Sequence, residues 1–260
     1  MGRQRIATVA IESNKRYTNK SRLEDLSRVI DNTEADLFVF PAGYFSAGRK
    51  KAESIYSWIE QNIGYNKIVC LGVDGRVQKP WPKDQISLAV SSNKILACGR
   101  KFHPAPVEQG LTELADEFDT EEFSLPRIFT NGKKSYYLAV CYDSFGIRQR
   151  DLPNPGIDII INNIHAFCQP GDGNSGDSYF ARHGLAGASR QWECPVFAAA
   201  IFFERTIPKN WPTGVVWSLG KKSTRQWGYD KNHLEPVFLT HLSVSEGEAR
   251  VQTYRIPHFG

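Results

Sequence analysis

Apolar runs too short to be helices, each cut off by a turn residue, recur along this chain with amphipathic stretches between several of them. Ile6–Ile11, Leu37–Phe40 (stopped by Pro41) and Lys67–Gly72 read as strands. Between the first two, Ser21-Arg22-Leu23-Glu24 has the form of a capping box, and Leu23, Leu26, Val29 and Ile30 recur at helical spacing. Between the second and third, Ala52, Ile55, Tyr56, Ile59 and Ile63 repeat that spacing, with Gly64 as a stop. Gln85–Val90 and Ile95–Cys98 form an expected hairpin about Ser91-Ser92-Asn93, and Asn131-Gly132 marks a turn between Arg127–Thr130 and Ser135–Val140. Ile157–Ile161 follows, then a helical stretch around Tyr179–Gln191, then strands at Pro195–Phe203, Val215–Leu219, Val237–Ser245 and Ala249–Ile256. Strands separated by single helices, with hairpins added, favour a mixed sheet with helices packed outside it. There is no low-complexity linker and no short-period repeat, so residues 1–260 are expected to form one α/β domain.

A chain of 260 residues can bury a core of that size without staples. Its 41% hydrophobic and 23% charged residues are those of a globular protein, and no apolar stretch reaches the length of a membrane span. Met1 to Ile11 lacks the apolar core and cleavage site of a signal peptide, which points to an intracellular, cytoplasmic protein. A net charge of +4 from 32 basic and 28 acidic residues, dispersed along the chain, does not by itself argue for nucleic acid. Cys70, Cys98, Cys141, Cys168 and Cys194 are odd in number and far apart, and the histidines show no metalloprotease-type spacing. Neither a disulfide framework nor a metal centre is expected.

Three segments carry the chemistry. Asp36–Gly43 ends the second strand, Gly99-Arg100-Lys101-Phe102-His103-Pro104 follows the first hairpin, and Tyr136–Asp143 delivers a cysteine to the C-terminal end of an apolar strand. In α/β sheets ligands bind at that edge, because strand ends and loops converge there. A cysteine there is either a small buried apolar residue or a nucleophile whose thiolate needs a neighbouring cation. A lysine would supply that charge and hold an oxyanion, and a general base would still be required.

In order and spacing these segments resemble the motifs of the carbon–nitrogen hydrolase (nitrilase) superfamily. There a strand ending in Phe-Pro-Glu supplies a glutamate, a Lys-x-His segment the lysine, and a Cys-Tyr-Asp segment the cysteine. Here Phe40-Pro41-Ala42, Lys101-Phe102-His103 and Cys141-Tyr142-Asp143 stand in those places. Gly156-Ile157-Asp158-Ile159-Ile160 is similar to the family's Gly-Ala-Asp strand, and Gly187–Glu193 followed by Pro195–Phe203 to its helix-to-strand segment, so the resemblance covers nearly the whole chain. It implies a nitrilase-like four-layer α/β/β/α sandwich, commonly paired into homodimers through outer helices. It also implies hydrolysis or formation of non-peptide C–N bonds in a small-molecule substrate through a cysteine thioester, with no metal or organic cofactor. There is no implied membrane or nucleic-acid partner.

Two departures stand against the match. Ala42 occupies the position of the base glutamate, and Ser144-Phe145-Gly146-Ile147 replaces the family's Arg-Phe-Pro-Glu. The resemblance makes Cys141 the nucleophile and Lys101, with the Tyr142 N–H, the oxyanion holder. Family members carry a second glutamate after the lysine, so Glu108 is the first candidate for the missing base, ahead of Glu113 and Glu12. Tyr142, His165 and Glu113 are expected to line the substrate pocket. Two functions follow: an amide or nitrile hydrolase, or a catalytically impaired nitrilase-fold protein that binds a small molecule or a partner.

Two further features fall away. Gly171–Asp177 lacks the lysine of a phosphate loop and the ligand pattern of an EF-hand, and reads as a loop ending in a helix cap. Asn210–Trp227 interleaves Trp211, Trp217 and Trp227 with Lys221, Lys222 and Arg225, a mixture used for nucleotide stacking. It reads better as a hairpin whose tryptophans pack in the core.

Overall fold

Helix and strand alternate where the apolar period changes. The computed structural model describes residues 4–168, 176–217 and 234–256. In chain order the elements are β1 (Arg5–Ser13), α1 (Asn19–Asp31), β2 (Leu37–Val39), β3 (Phe45–Gly48), α2 (Tyr56–Asn62), β4 (Ile68–Gly75), β5 (Lys83–Ser91), β6 (Lys94–Arg100) and β7 (Thr112–Glu113). Then come β8 (Ile128–Asn131), β9 (Lys134–Val140), α3 (Asp143–Gln149), β10 (Ile159–Phe167), α4 (Asp177–Tyr179), α5 (Ala186–Trp192), β11 (Val196–Phe203), β12 (Gly214–Val215), β13 (Phe238–Val244) and β14 (Gly247–Arg255). A 3₁₀ turn over Ala52–Ile55 leads into α2, another spans Pro106–Glu108, and a π-helical stretch over Phe180–Leu185 joins α4 to α5.

Several boundaries differ from expectation. The cap of α1 is Thr18, whose hydroxyl accepts from the Ser21 N–H while the Ser21 hydroxyl accepts from the Thr18 N–H, so the helix starts before the expected Ser21. β4 runs on to Gly75 and β10 to Phe167, and α3 forms directly after the cysteine with no counterpart in the sequence reading. Trp211 and Trp217 are buried, Trp211 against Phe167 and Phe202. Lys221, Lys222, Arg225 and Trp227 lie outside the described residues, as do residues 171–175 of the glycine-rich loop and the end of the expected Val215–Leu219 strand. Among the described residues no helix is long and apolar enough to cross a membrane.

The main hydrogen-bonded order is β6-β5-β4-β2-β1-β11-β10-β9-β8. β1 belongs to both halves: it pairs in parallel with β2 through Ile6–Thr8 and with β11 through Ile11–Ser13. The two halves then fold face to face, with β9 packed on β5 and β6, and β10 on β2 and β4. Their inner faces meet through Leu37, Val39, Cys70, Ala97, Leu138 and Ile161. α1 and α2 cover one outer face with Leu26, Val29 and Ile59 against Phe38 and Val69. α3 and α5 cover the other with Phe145, Ile147 and Trp192 against Tyr137 and Ile160. The result is the four-layer α/β/β/α sandwich. Its parallel strands are buried on both faces, which is why they are uniformly apolar rather than alternating.

Candidate active site

β9 ends at Cys141, whose φ of +52° puts a non-glycine residue in the left-handed region. The surroundings hold it there. Its N–H donates to the Asn163 carbonyl (2.8 Å), and its own carbonyl accepts from Ser144 Oγ (3.2 Å) and Asn162 Nδ2 (3.2 Å). Asn163 also reaches across the sandwich, donating to the Phe40 carbonyl and accepting from Ser87 Oγ.

Asp143 ties the cysteine strand to the lysine segment. One oxygen accepts from the N–H groups of Phe102 (2.9 Å) and His103 (3.0 Å), and the other from the Val140 N–H (2.9 Å). That second oxygen is also paired with the Arg127 guanidinium, and both side chains are fully buried. The backbone just after Lys101 and just before Cys141 is thereby clamped to one carboxylate.

The Lys101 side chain is fully buried, and its ammonium donates to Gln85 Oε1 (3.0 Å) and to the Glu108 carboxylate. Burial acts to lower its pKa, but the charges of Cys141, Glu108 and Asp143 outweigh it and raise the lysine above its ordinary value. Glu108 also accepts from the Ala105 N–H (3.0 Å) and from Gln85 Nε2 (3.3 Å). Burial pushes its carboxyl up, but the Lys101 ammonium outweighs that and lowers it from its ordinary value.

His165 lies within the extended β10. Its Nε2 is 3.0 Å from Asp74 Oδ1, and the other Asp74 oxygen is 3.1 Å from Lys83 Nζ. Burial acts to raise Asp74, yet His165 and Lys83 hold it well below the usual range. Burial acts to lower His165, yet Asp74 outweighs it and the imidazole is raised. Burial pushes the Cys141 thiol up, and the Lys101 ammonium together with His165 reverses that, leaving it lowered. Burial drives the other interior thiols the opposite way: Cys98 and Cys194 are pushed up to about 12, and Cys70 further. Cys168 is exposed.

Cys141, Glu108, Tyr142 and His165 share a cavity of about 370 Å³, closed on its apolar side by Phe167 and Phe180. His165 also borders a wider cleft of about 700 Å³ that is lined by Ala42, Asp74 and Lys83. Ala42 is buried, with its N–H donating to the Ile164 carbonyl (3.1 Å).

The structure gathers Cys141, Lys101, Glu108, Tyr142 and His165 in one region. It does not bring Glu113 or Glu12 to them. Glu113 sits on β7 beside Arg76 (3.1 Å) and Arg100 (3.7 Å), and Glu12 accepts from the Ile207 N–H (2.7 Å). Glu108 contacts Lys101 rather than the thiol. Sequence reasoning missed Gln85 and Asp74. Asp74 is an acid at the C-terminal end of a strand, the position that marks ligand sites, but the strand was read as ending at Gly72.

No protein-family model matches the chain, and no curated protein matches it by sequence. Solved structures do. A mutant of the amidase from Nesterenkonia sp. AN1 carrying acrylamide at its active-site cysteine is similar at TM-score 0.60 and 12% identity, over 96% of this chain and 92% of that one. A CN-hydrolase superfamily protein from Xanthomonas campestris with an arsenic adduct in its active site gives TM-score 0.60 and 13% identity, over 99% of this chain and 91% of that one. A glutamine-dependent NAD(+) synthetase from Cytophaga hutchinsonii gives TM-score 0.55 and 13% identity, over 79% of this chain and 38% of that one. At these identities the likeness is one of fold: the chain has the fold of the nitrilase-superfamily amidases and CN-hydrolases.

Proposed function

We propose that this protein is a cysteine-dependent hydrolase of a non-peptide C–N bond, an amide or a nitrile, in a small molecule with an apolar acyl group. The observation that carries the reading is the convergence of the Cys141 thiol and the buried Lys101 ammonium, with the thiol lowered while every other interior cysteine is raised. Cys141 attacks the carbonyl or nitrile carbon. Lys101 and the Tyr142 N–H receive the negative charge that develops on the substrate heteroatom, and Glu108 with Gln85 keeps the ammonium in place. Phe167 and Phe180 offer the acyl group an apolar wall.

Acrylamide, which adds to the cysteine of the Nesterenkonia amidase, is a suitable probe. The expected result is one adduct, formed at Cys141 well before the exposed Cys168, and ammonia release from short-chain aliphatic amides or nitriles that Cys141→Ala abolishes. Slower labelling of Cys141 than of Cys168, with no ammonia from any substrate, would sink the hydrolase reading. A second reading is favoured by Ala42 alone: a site without its glutamate that binds a ligand and does not turn it over. Selective labelling with ligand protection but no ammonia would establish it.

A further inference from the structure

We propose that His165, oriented by Asp74, is the proton-transfer residue of this site and stands in for the carboxylate that Ala42 lacks. The proposal rests on the hydrolase reading above, in that it takes Cys141 as the nucleophile.

The geometry supplies nucleophile, base and orienting group in sequence. Nε2 of His165 is held by Asp74 Oδ1 at 3.0 Å, and Asp74 is itself fixed by Lys83 at 3.1 Å. An Nε2–H donated to that carboxylate sets the tautomer and leaves the lone pair on Nδ1. Nδ1 is buried and has no hydrogen-bond partner among the described residues, while the ring interacts with the Cys141 thiol and lines the same cavity. The turn after β2 makes room for this arrangement. A Cβ on Gly43 would come within 2.9 Å of Asp74 Oδ2, and Ala42, Asp74 and His165 border one cleft. The alternative base is already engaged, since one Glu108 oxygen accepts from Lys101 and the Ala105 N–H and the other from Gln85. The charged and titratable groups facing the imidazole are Asp74 from β4, Lys83 from β5, Cys141 at the end of β9 and Glu108 from the loop before β7. The Ala42-Gly43 turn brings none.

For an amide, water is the one co-reactant. His165 Nδ1 takes the thiol proton, Sγ bonds to the carbonyl carbon, and the π pair moves to oxygen beside Lys101. The intermediate collapses with cleavage of the C–N bond, and the leaving amine takes the proton from His165. Water then gives a proton to Nδ1 as its oxygen bonds to the thioester carbon. Cleavage of the C–S bond releases the acid, and the proton returns to sulfur.

The test compares wild type with His165→Asn, Asp74→Asn and Cys141→Ala, each checked for folding by thermal melting. The rate at which iodoacetamide labels Cys141 is mapped by mass from about pH 5 to about pH 9, the range in which imidazole titrates. His165→Asn is expected to cut labelling at low pH about tenfold or more, because one unit of thiol pKa is a factor of ten. Asp74→Asn should move the profile the same way by less, a change that loss of packing alone would not produce. Steady-state hydrolysis of p-nitrophenyl acetate should fall ~10²-fold or more in His165→Asn, with acetyl-Cys141 accumulating. Coincident pH profiles in wild type, His165→Asn and Asp74→Asn would overturn the proposal, because Lys101 alone would then set the thiolate. The hydrolase reading would survive that result provided Cys141→Ala remained inactive. Turnover by Cys141→Ala at the wild-type rate would remove the hydrolase reading itself. Should His165→Asn fail to fold, His165→Gln and Asp74→Asn give the same readout.

Discussion

Asp143 shows how much a single residue decides. It accepts from three backbone N–H groups on two segments and neutralises a fully buried arginine. Asp143→Asn removes the charge and leaves Arg127 uncompensated; breaking a buried pair in this way costs ~3–5 kcal/mol. Urea denaturation at neutral pH is expected to show that loss, and acrylamide labelling of Cys141 in the folded fraction should slow, since the clamp also sets the distance from Lys101. Cys141 and Lys101 were legible in the chain because each sits in a short strand-end segment that resembles a family motif. Asp143 was visible only as the end of Cys141-Tyr142-Asp143, and its clamp was not. The His165–Asp74 contact was not legible either, because it joins residues 91 apart in sequence. A histidine beyond a strand and an acid beyond another carry no local mark of their pairing.

Elements are positioned by close approach as much as by apolar burial. A Cβ on Gly146 in α3 would meet His103 Cβ at 2.6 Å and Phe102 Cε2 at 2.7 Å. A Cβ on Gly99 in β6 would meet the Leu138 carbonyl oxygen of β9 at 2.9 Å. These two glycines let α3 and β6 close on the strand and segment that carry the site. Gly146→Ala is expected to lower stability by ~1–3 kcal/mol, the usual range for overpacking. It should also reduce ammonia release more than stability alone accounts for, because the displaced neighbours follow Lys101 directly. Thermal melting and assay of the folded protein at the same temperature would separate the two effects. The periodicity of the chain showed that α1, α2 and the strands exist. It missed α3, whose residues follow a turn at the positive-φ cysteine and are held by the Asp143 clamp rather than by any helical pattern strong enough to read.

Across the whole molecule, the Asp74–His165 pair bridges β4 and β10 on opposing halves of the sandwich and so couples folding to pH. Asp74 is lowered in the folded state, so its contribution is present above the unfolded carboxylate value of about 3.9 and is lost as pH falls. His165 is raised, so its contribution is complete below the unfolded value of about 6.5 and is lost as pH rises through the folded one. The difference in melting temperature between wild type and Asp74→Asn is therefore expected to be largest between those two values and to shrink on either side. A difference constant across pH would show that the pair does not titrate with folding.

The sequence by itself determined a mixed sheet covered by helices and a cysteine at the C-terminal end of one apolar strand. The four-layer arrangement was legible only through the resemblance to the nitrilase superfamily. Apolar period, turn residues and strand-end motifs are local properties, and burying uniformly apolar strands on both faces leaves few arrangements besides a covered mixed sheet. Only the tertiary structure decided which acid meets which base. That choice depends on the fold of one half-sheet over the other, which brings β4 against β10, sets Glu108 on Lys101, and leaves His165 between Asp74 and the thiol. Contacts between residues so far apart in sequence follow from packing geometry, and no local pattern encodes them.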